Sequence, residues 1–423
     1  MRPALSIFSS KRFRQAVSVL TLLALLASGL GFLSRSLRMS DGYSKNRPFW
    51  EQDCSYDVLF YGTSHVINGV YPMQLWRDYG ITSYNLAIHG GSIAASYWML
   101  QNSVALHKPK IAVMDVLLAK SQYTRMENAL AHAALDPMPL TKTKLRAIFD
   151  IFPENGDRME MLFPLDVFHN RWKELDTEML LRGVGVEDPD SPEKGAESRI
   201  RVCPLENSVC IPASDSQVED SVGLQYLEKF IRFCQASDII PVITYLPYRY
   251  ENAQEEQRYS NAALALAREL GAAAIDLQHM DILDDDTDWY DQGSHVNPTG
   301  AKKLTRVLGE YLKEHYDLAD HRQNPSWAED YEAYYAFQAE NLHQAEGLWE
   351  MLTVLSVEDF TARVEISGDF PMDGVTEKLL ASLGNRLERV TRQTGGTLTL
   401  TAYGKDGAEL VTRHFQTEPT GIE

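Results

Sequence analysis

Cysteine is scarce in this chain: Cys54, Cys203, Cys210 and Cys234 are the only four in 423 residues. None forms a CxxC pair and none falls in a Cys/His cluster, so the sequence offers no zinc site. Outside a reducing compartment, Cys203 and Cys210 could close a small loop across Pro204, with free buried thiols as the equal alternative. Positive charge is short as well, since 40 Lys and Arg face 59 Asp and Glu, a formal net charge of -19. A phosphate backbone selects basic faces, so nucleic acid is excluded as a partner. The surface is that of a soluble, self-repelling protein. The acidic run Asp284-Asp285-Asp286 with Asp288 has no repeating ligand spacing. It reads as a solvated loop rather than a calcium site.

The N-terminal basic residues are grouped. Arg2, Lys11, Arg12 and Arg14 precede a charge-free apolar stretch from Ala16 to Leu33, and Arg35 and Arg38 follow it. Such a stretch spans a bilayer or forms the core of a signal peptide. The positive excess ahead of it predicts a cytoplasmic N-terminus and an extracytoplasmic remainder. Ala27-Ser28-Gly29 is a passable cleavage site, which would give a secreted protein, but the length of the run favours a retained anchor. Residues 1–38 are thus expected to be a cytoplasmic tail and membrane segment. Residues 39–55 read as a polar linker with Gly42, Pro48 and a cluster of aromatics.

A repeating pattern then begins. Short apolar runs at 57–61, 84–87, 111–116, 239–245 and 273–276 read as buried strands. Helical spacing covers 94–107, 221–235, 255–270 and 298–315, the last opening on Pro298. Strands alternating with helices predict an α/β fold, a doubly wound, mostly parallel sheet over residues 56–320. In such sheets ligands lie beyond the carboxyl ends of the strands. Gly62-Thr63-Ser64, Gly90-Gly91 and the loop after Asp276 belong on that edge. Residues 120–217 interrupt the alternation and read as an insertion over the same edge, a lid or a structural elaboration. Residues 326–423 begin with an aromatic amphipathic helix over 327–351. A strand at 360–366, a helix over 375–392 and strands at 397–401 and 409–411 follow, a small α+β interaction module without nucleophile or ligand spacing.

Two stretches carry chemistry. In YGTSHVING (61–69) Ser64 follows the first strand, and in DWYDQGSHVNPTGAKKLT (288–305) Asp291 and His295 share a loop before the last helix. The topology brings both loops to one sheet edge, as nucleophilic catalysis needs: a base beside the serine, oriented by a carboxylate. His65 and His89 stand at helix-start and loop positions and receive no chemical role. Tyr245 and Tyr248 end a strand at this edge, where they line a cleft or pack.

These motifs resemble the SGNH (GDSL-like) hydrolase superfamily over about residues 56–315, without the insertion. Gly62-Thr63-Ser64-His65 is similar to its first block. Asn85-Leu86-Ala87-Ile88-His89-Gly90-Gly91 is similar to the second, and His295-Val296-Asn297-Pro298-Thr299-Gly300 to the last. The resemblance implies a flavodoxin-like sheet and a Ser64–His295–Asp291 triad. It also implies an oxyanion hole built on backbone N–H groups of Ser64 and Gly91, and no metal or organic cofactor. The Asp–His spacing is one residue longer than the family's, which leaves Asp288 as the alternative carboxylate. The third strand runs into Asp115-Val116-Leu117-Leu118 without the family's Gly-x-Asn-Asp, so a slow, specialised enzyme is expected. A membrane-anchored chain of this kind resembles the branch that works on polysaccharide or wall polymer. The expected substrates are acyl, above all acetyl, esters of carbohydrate or wall polymer, with a membrane-bound O-acyltransferase as partner. The expected activity is a serine esterase or O-acyltransferase, and the alternative is an inactive SGNH scaffold that assembles with such a partner.

Overall fold

The computed structural model describes residues 11–39, 41–52, 54–187, 189–392 and 395–416. The apolar N-terminal run forms one helix, α1 (Lys11–Leu37), which contains an 18-residue window of mean hydropathy 2.2 with none of its residues buried. The expected linker is instead a helix, α2 (Asp41–Glu51), and its Phe49 is fully buried. Aromatic contacts explain the difference: Phe49 packs on Tyr56 and Tyr84, which draws a polar-looking segment into the core.

Five parallel strands form the main sheet in the order β2-β1-β3-β4-β5. They are β1 (Val58–Tyr61), β2 (Ser83–Asn85), β3 (Ile111–Asp115), β4 (Ile240–Tyr245) and β5 (Ala273–Asp276). Successive side chains on a strand face opposite sides, and here each side meets its own helices. Leu59, Tyr61, Ala112, Met114, Ile243 and Tyr245 join a core with α5 (Ile93–Val104), α11 (Val222–Ala236) and α12 (Gln254–Glu269). Val58, Phe60, Ile111, Val113 and Val242 join another with α3 (Ser64–Gly69), α4 (Pro72–Tyr79) and α13 (Pro298–His315). The helices expected from sequence spacing fall within a few residues of these bounds.

The insertion has two parts. The first is helical: α6 (Asn128–Leu135), α7 (Lys142–Ile151), α8 (Asn155–Leu162), α9 (Pro164–Phe168), a 3-10 turn His169–Glu174 and α10 (Thr177–Gly183). The second, 193–218, is extended and crosses the carboxyl edge of the sheet. There Glu197 N–H bonds the Ile67 carbonyl and Cys203 N–H bonds the Trp289 carbonyl.

After α13 come α14 (Pro325–Gln344) and α15 (Leu348–Val357). A second sheet follows in the order β7-β6-β8-β9, with α16 (Gly374–Ser382) against it. Its strands are β6 (Thr361–Ser367), β7 (Leu387–Arg392), β8 (Thr397–Tyr403) and β9 (Glu409–Gln416). The single helix expected over 375–392 is therefore a helix and a strand. α16 ends at Ser382, Gly384 at φ +56° opens a 3-10 turn to Arg386, and 387–392 then pairs parallel to β6. The four cysteines are all unpaired, so no loop closes between Cys203 and Cys210.

Candidate active site

The turn between β1 and α3 is built around Gly62. Its φ is +146°, and a Cβ there would lie 2.6 Å from Val66 Cγ2 and 3.1 Å from Asp115 Cβ, so a side chain is refused on both counts. Thr63 caps the helix, its Oγ1 accepting the His65 N–H at 3.4 Å. Ser64 is thereby the first helical residue, where its own N–H has no intrahelical acceptor. Asn85 clamps the other end of this short helix, donating Nδ2 to the carbonyls of Val66 (2.8 Å) and Val70 (3.1 Å).

The loop before α13 supplies the partners. Ser64 Oγ lies 2.7 Å from His295 Nε2, and His295 Nδ1 lies 2.6 Å from Asp291 Oδ2. The longer Asp–His spacing is absorbed by a tight turn. Asp291 Oδ1 accepts the N–H groups of Ser294 and His295, both at 2.8 Å. Gly293, at φ +90°, fits against the Arg249 backbone, where a Cβ would come within 2.8 Å of the carbonyl carbon. Burial would raise the Asp291 carboxyl, but the hydrogen bonds from His295 and Ser294 outweigh it and hold the group below its ordinary value. Asp288 does not take this place. It is fully buried, bonds Lys303 Nζ at 2.6 Å and accepts the Asp284 N–H at 2.7 Å.

Gly91 departs from expectation. Its N–H donates to the Ile88 carbonyl at 3.0 Å, because Gly90 at φ +57° folds residues 88–91 into a closed turn. Of the two expected oxyanion donors, only the Ser64 N–H is uncommitted to that turn. Asp115 at the end of β3 is turned to structural use, accepting the N–H groups of Leu246 (2.8 Å) and Leu117 (3.1 Å). Burial pushes its carboxyl up to about 7 despite those bonds.

His65, given no role from sequence, is part of the site wall. Its ring lies 4.9 Å from that of His295 at 31°, and 5.2 Å edge-on from Tyr248. Burial, with His295 adding to it, holds the His65 ring down to about 3, so it stays neutral. The only sequence signal was its place next to Ser64. Tyr248 thus borders the site, whereas Tyr245 is fully buried in the core. His89 turns away to Glu197 Oε1 at 2.9 Å. Among the described residues no group of three or more His, Cys, Asp or Glu is placed to hold a metal ion. The acidic loop is paired instead, Lys378 of the second sheet unit reaching Asp284 at 3.0 Å and Asp286 at 2.7 Å.

A cavity of about 360 Å³ opens on the same edge between the loops after β2 and β3, lined by Gly90, Ser92, Leu118, Lys120, Tyr123 and Arg125 among others. Leu118 holds a left-handed φ of +69°, uncommon for a side chain of its size. No family model matches this chain, and no curated protein sequence matches it.

Proposed function

We propose that this chain is an extracytoplasmic serine esterase or O-acyltransferase of the SGNH kind, acting on acyl esters of a polysaccharide or cell-envelope polymer. The observation that carries the reading is the continuous Ser64–His295–Asp291 hydrogen-bond chain. The strand order supports it, since 2-1-3-4-5 is a doubly wound order whose ligands lie beyond the strand carboxyl ends. In this reading Ser64 Oγ attacks the acyl carbonyl carbon while His295 Nε2 takes the hydroxyl proton. Ionised Asp291 stabilises the imidazolium and holds its tautomer. The tetrahedral oxyanion takes the Ser64 N–H. The ester C–O bond then breaks, the leaving alkoxide receives the proton from Nε2, and the acyl group remains on Ser64. Water or an acceptor hydroxyl gives its proton to His295 and attacks the acyl carbon, the bond from that carbon to Ser64 Oγ breaks, and Oγ takes the proton back from Nε2.

With Gly91 engaged in its own turn, the oxyanion hole is one donor short, and a missing donor costs about 10²–10³ in rate. A slow enzyme follows. The cavity beside the Gly90 and Leu118 loops, lined by hydroxyl, charged and aromatic side chains, suits a polyhydroxylated chain. α1 serves as the anchor, cytoplasmic at its basic end, and keeps the site beside a membrane-bound O-acyltransferase that supplies acyl groups. The test is product analysis with the full chain, an acetylated glycan and an acceptor alcohol. Released acetate or acetylated acceptor supports the reading. Neither product, from a protein whose Ser64→Ala variant is indistinguishable from it, sinks it and leaves a scaffold.

A further inference from the structure

The end of α1 is not a free stalk. Leu37 is buried against Phe168 of α9 and Met179 of α10. Gly183 at the end of α10 sits so close to Phe32 and Ser36 that no Cβ fits between them. Arg171, in the 3-10 turn, donates to the carbonyls of Leu37 (2.7 Å) and Arg38 (2.5 Å), capping the helix. The helical half of the insertion is therefore fastened to the last turns of α1.

Depth follows from arithmetic. At about 1.5 Å per residue, the run from Ala16 to Leu33 is about 27 Å long, close to the hydrocarbon thickness of a bilayer. Phe32–Leu37, and everything packed against them, then lie at the headgroup boundary. At that level the insertion exposes large apolar side chains that a water-facing surface has no use for. Trp172 is 59 % exposed, Phe163 58 %, Leu180 47 %, Leu181 43 % and Val184 69 %. A cavity of about 350 Å³ joins Leu140 and Leu162 of the insertion to Ser34 and Arg35 of α1, its apolar wall set beside Arg35, Arg38 and Lys144, basic groups suited to lipid phosphates. Tryptophan beside such a boundary is the usual interfacial anchor.

We propose that residues 140–184, within the helical half of the insertion, are a second membrane contact, their apolar side chains seated in the outer interface of a phospholipid bilayer. The proposal rests on the reading of α1 as a membrane span. It gives the insertion a definite task. One half grips the bilayer, and the extended half crosses the edge that holds Ser64 and His295. The site is thereby held at fixed height over the membrane, suited to a membrane-borne acyl donor or acceptor.

Tryptophan fluorescence tests this, because α1 contains no tryptophan. The full chain is reconstituted into phosphatidylcholine–phosphatidylglycerol vesicles with plain or brominated acyl chains, and flotation is scored alongside quenching. The expected result is a floating protein quenched by the brominated lipid, with most of the quenching lost in Trp172→Phe and kept in Trp349→Phe. A protein that floats but shows no Trp172-dependent quenching overturns the proposal while leaving the anchor standing. So does a floating protein whose copies cross-link through residues 163–184, since a second copy then covers the face. A chain that does not float removes the anchor reading and this proposal with it.

Discussion

Asp291 and Asp288 stand three residues apart in one loop, yet their surroundings give them opposite work. Asp291, partly exposed, is held ionised by the His295 and Ser294 hydrogen bonds. Asp288 is sealed in the core and paired with the half-buried Lys303. Asp291→Asn is therefore expected to lower turnover by about 10³–10⁴, as loss of the orienting carboxylate does in triads of this type, with little change in melting temperature. Asp288→Asn should do the reverse, costing about 1.5–3 kcal/mol in a denaturant titration through the lost charged hydrogen bonds, with the serine still reactive. The sequence alone left these two carboxylates open. Counting residues between Asp and His does not reveal a turn in which the carboxylate accepts its own loop's N–H groups.

The β1–α3 turn is the element on which the site depends. Gly62→Ala should cost about 1–3 kcal/mol, because it sets a Cβ at φ +146° against Val66, and reactivity at Ser64 should fall with it. β3 carries a pH signature. The Asp115 carboxyl is raised from 3.8 to about 7 by burial. A raised folded value means that the folded chain holds one proton more than the unfolded chain between those two pH values. The stability this group contributes is complete below 3.8 and is lost as pH rises through about 7. Melting curves across that window should show the gap between wild type and Asp115→Asn shrinking as pH rises. A constant gap would mean that Asp115 is ionised throughout. Glu193, also lifted to about 7 by burial, adds its own slope to both proteins and cancels in the comparison. Among the elements, the strands and the helices of the main sheet were legible because short continuous apolar runs and 3.6-period stripes alternate along the chain. α2 and β7 were not. Polar Lys45, Asn46 and Arg47 mask a helix buried by tertiary contacts, and an exposed strand of charged and β-branched residues looks like a continuing helix.

At the scale of the whole molecule, the second sheet unit is locked to the main one by a charge buried between them. Glu358 is fully buried, bonds Arg77 at 2.7 Å and accepts the Tyr331 hydroxyl at 2.5 Å. Glu358→Ala removes the buried acceptor shared by Arg77 and the Tyr331 hydroxyl, leaving Arg77 with Asp78 and the Val357 carbonyl, and should cost about 1.5–3 kcal/mol by chemical denaturation. Lys378→Ala, which removes only an exposed pair with the acidic loop, should cost less than about 1 kcal/mol. The second α+β unit was visible in the sequence as a change of character after His321. Its docking was not, because Arg77 and Glu358 are far apart in the chain and nothing local marks them as a pair.

Whether Ser64 is a nucleophile activated by His295 is decided by a fluorophosphonate probe on the folded full chain, followed by peptide mapping. One adduct is expected, on Ser64, lost in Ser64→Ala and strongly reduced in His295→Ala. A folded protein that takes no label at Ser64, or labels equally well without His295, would contradict that activation.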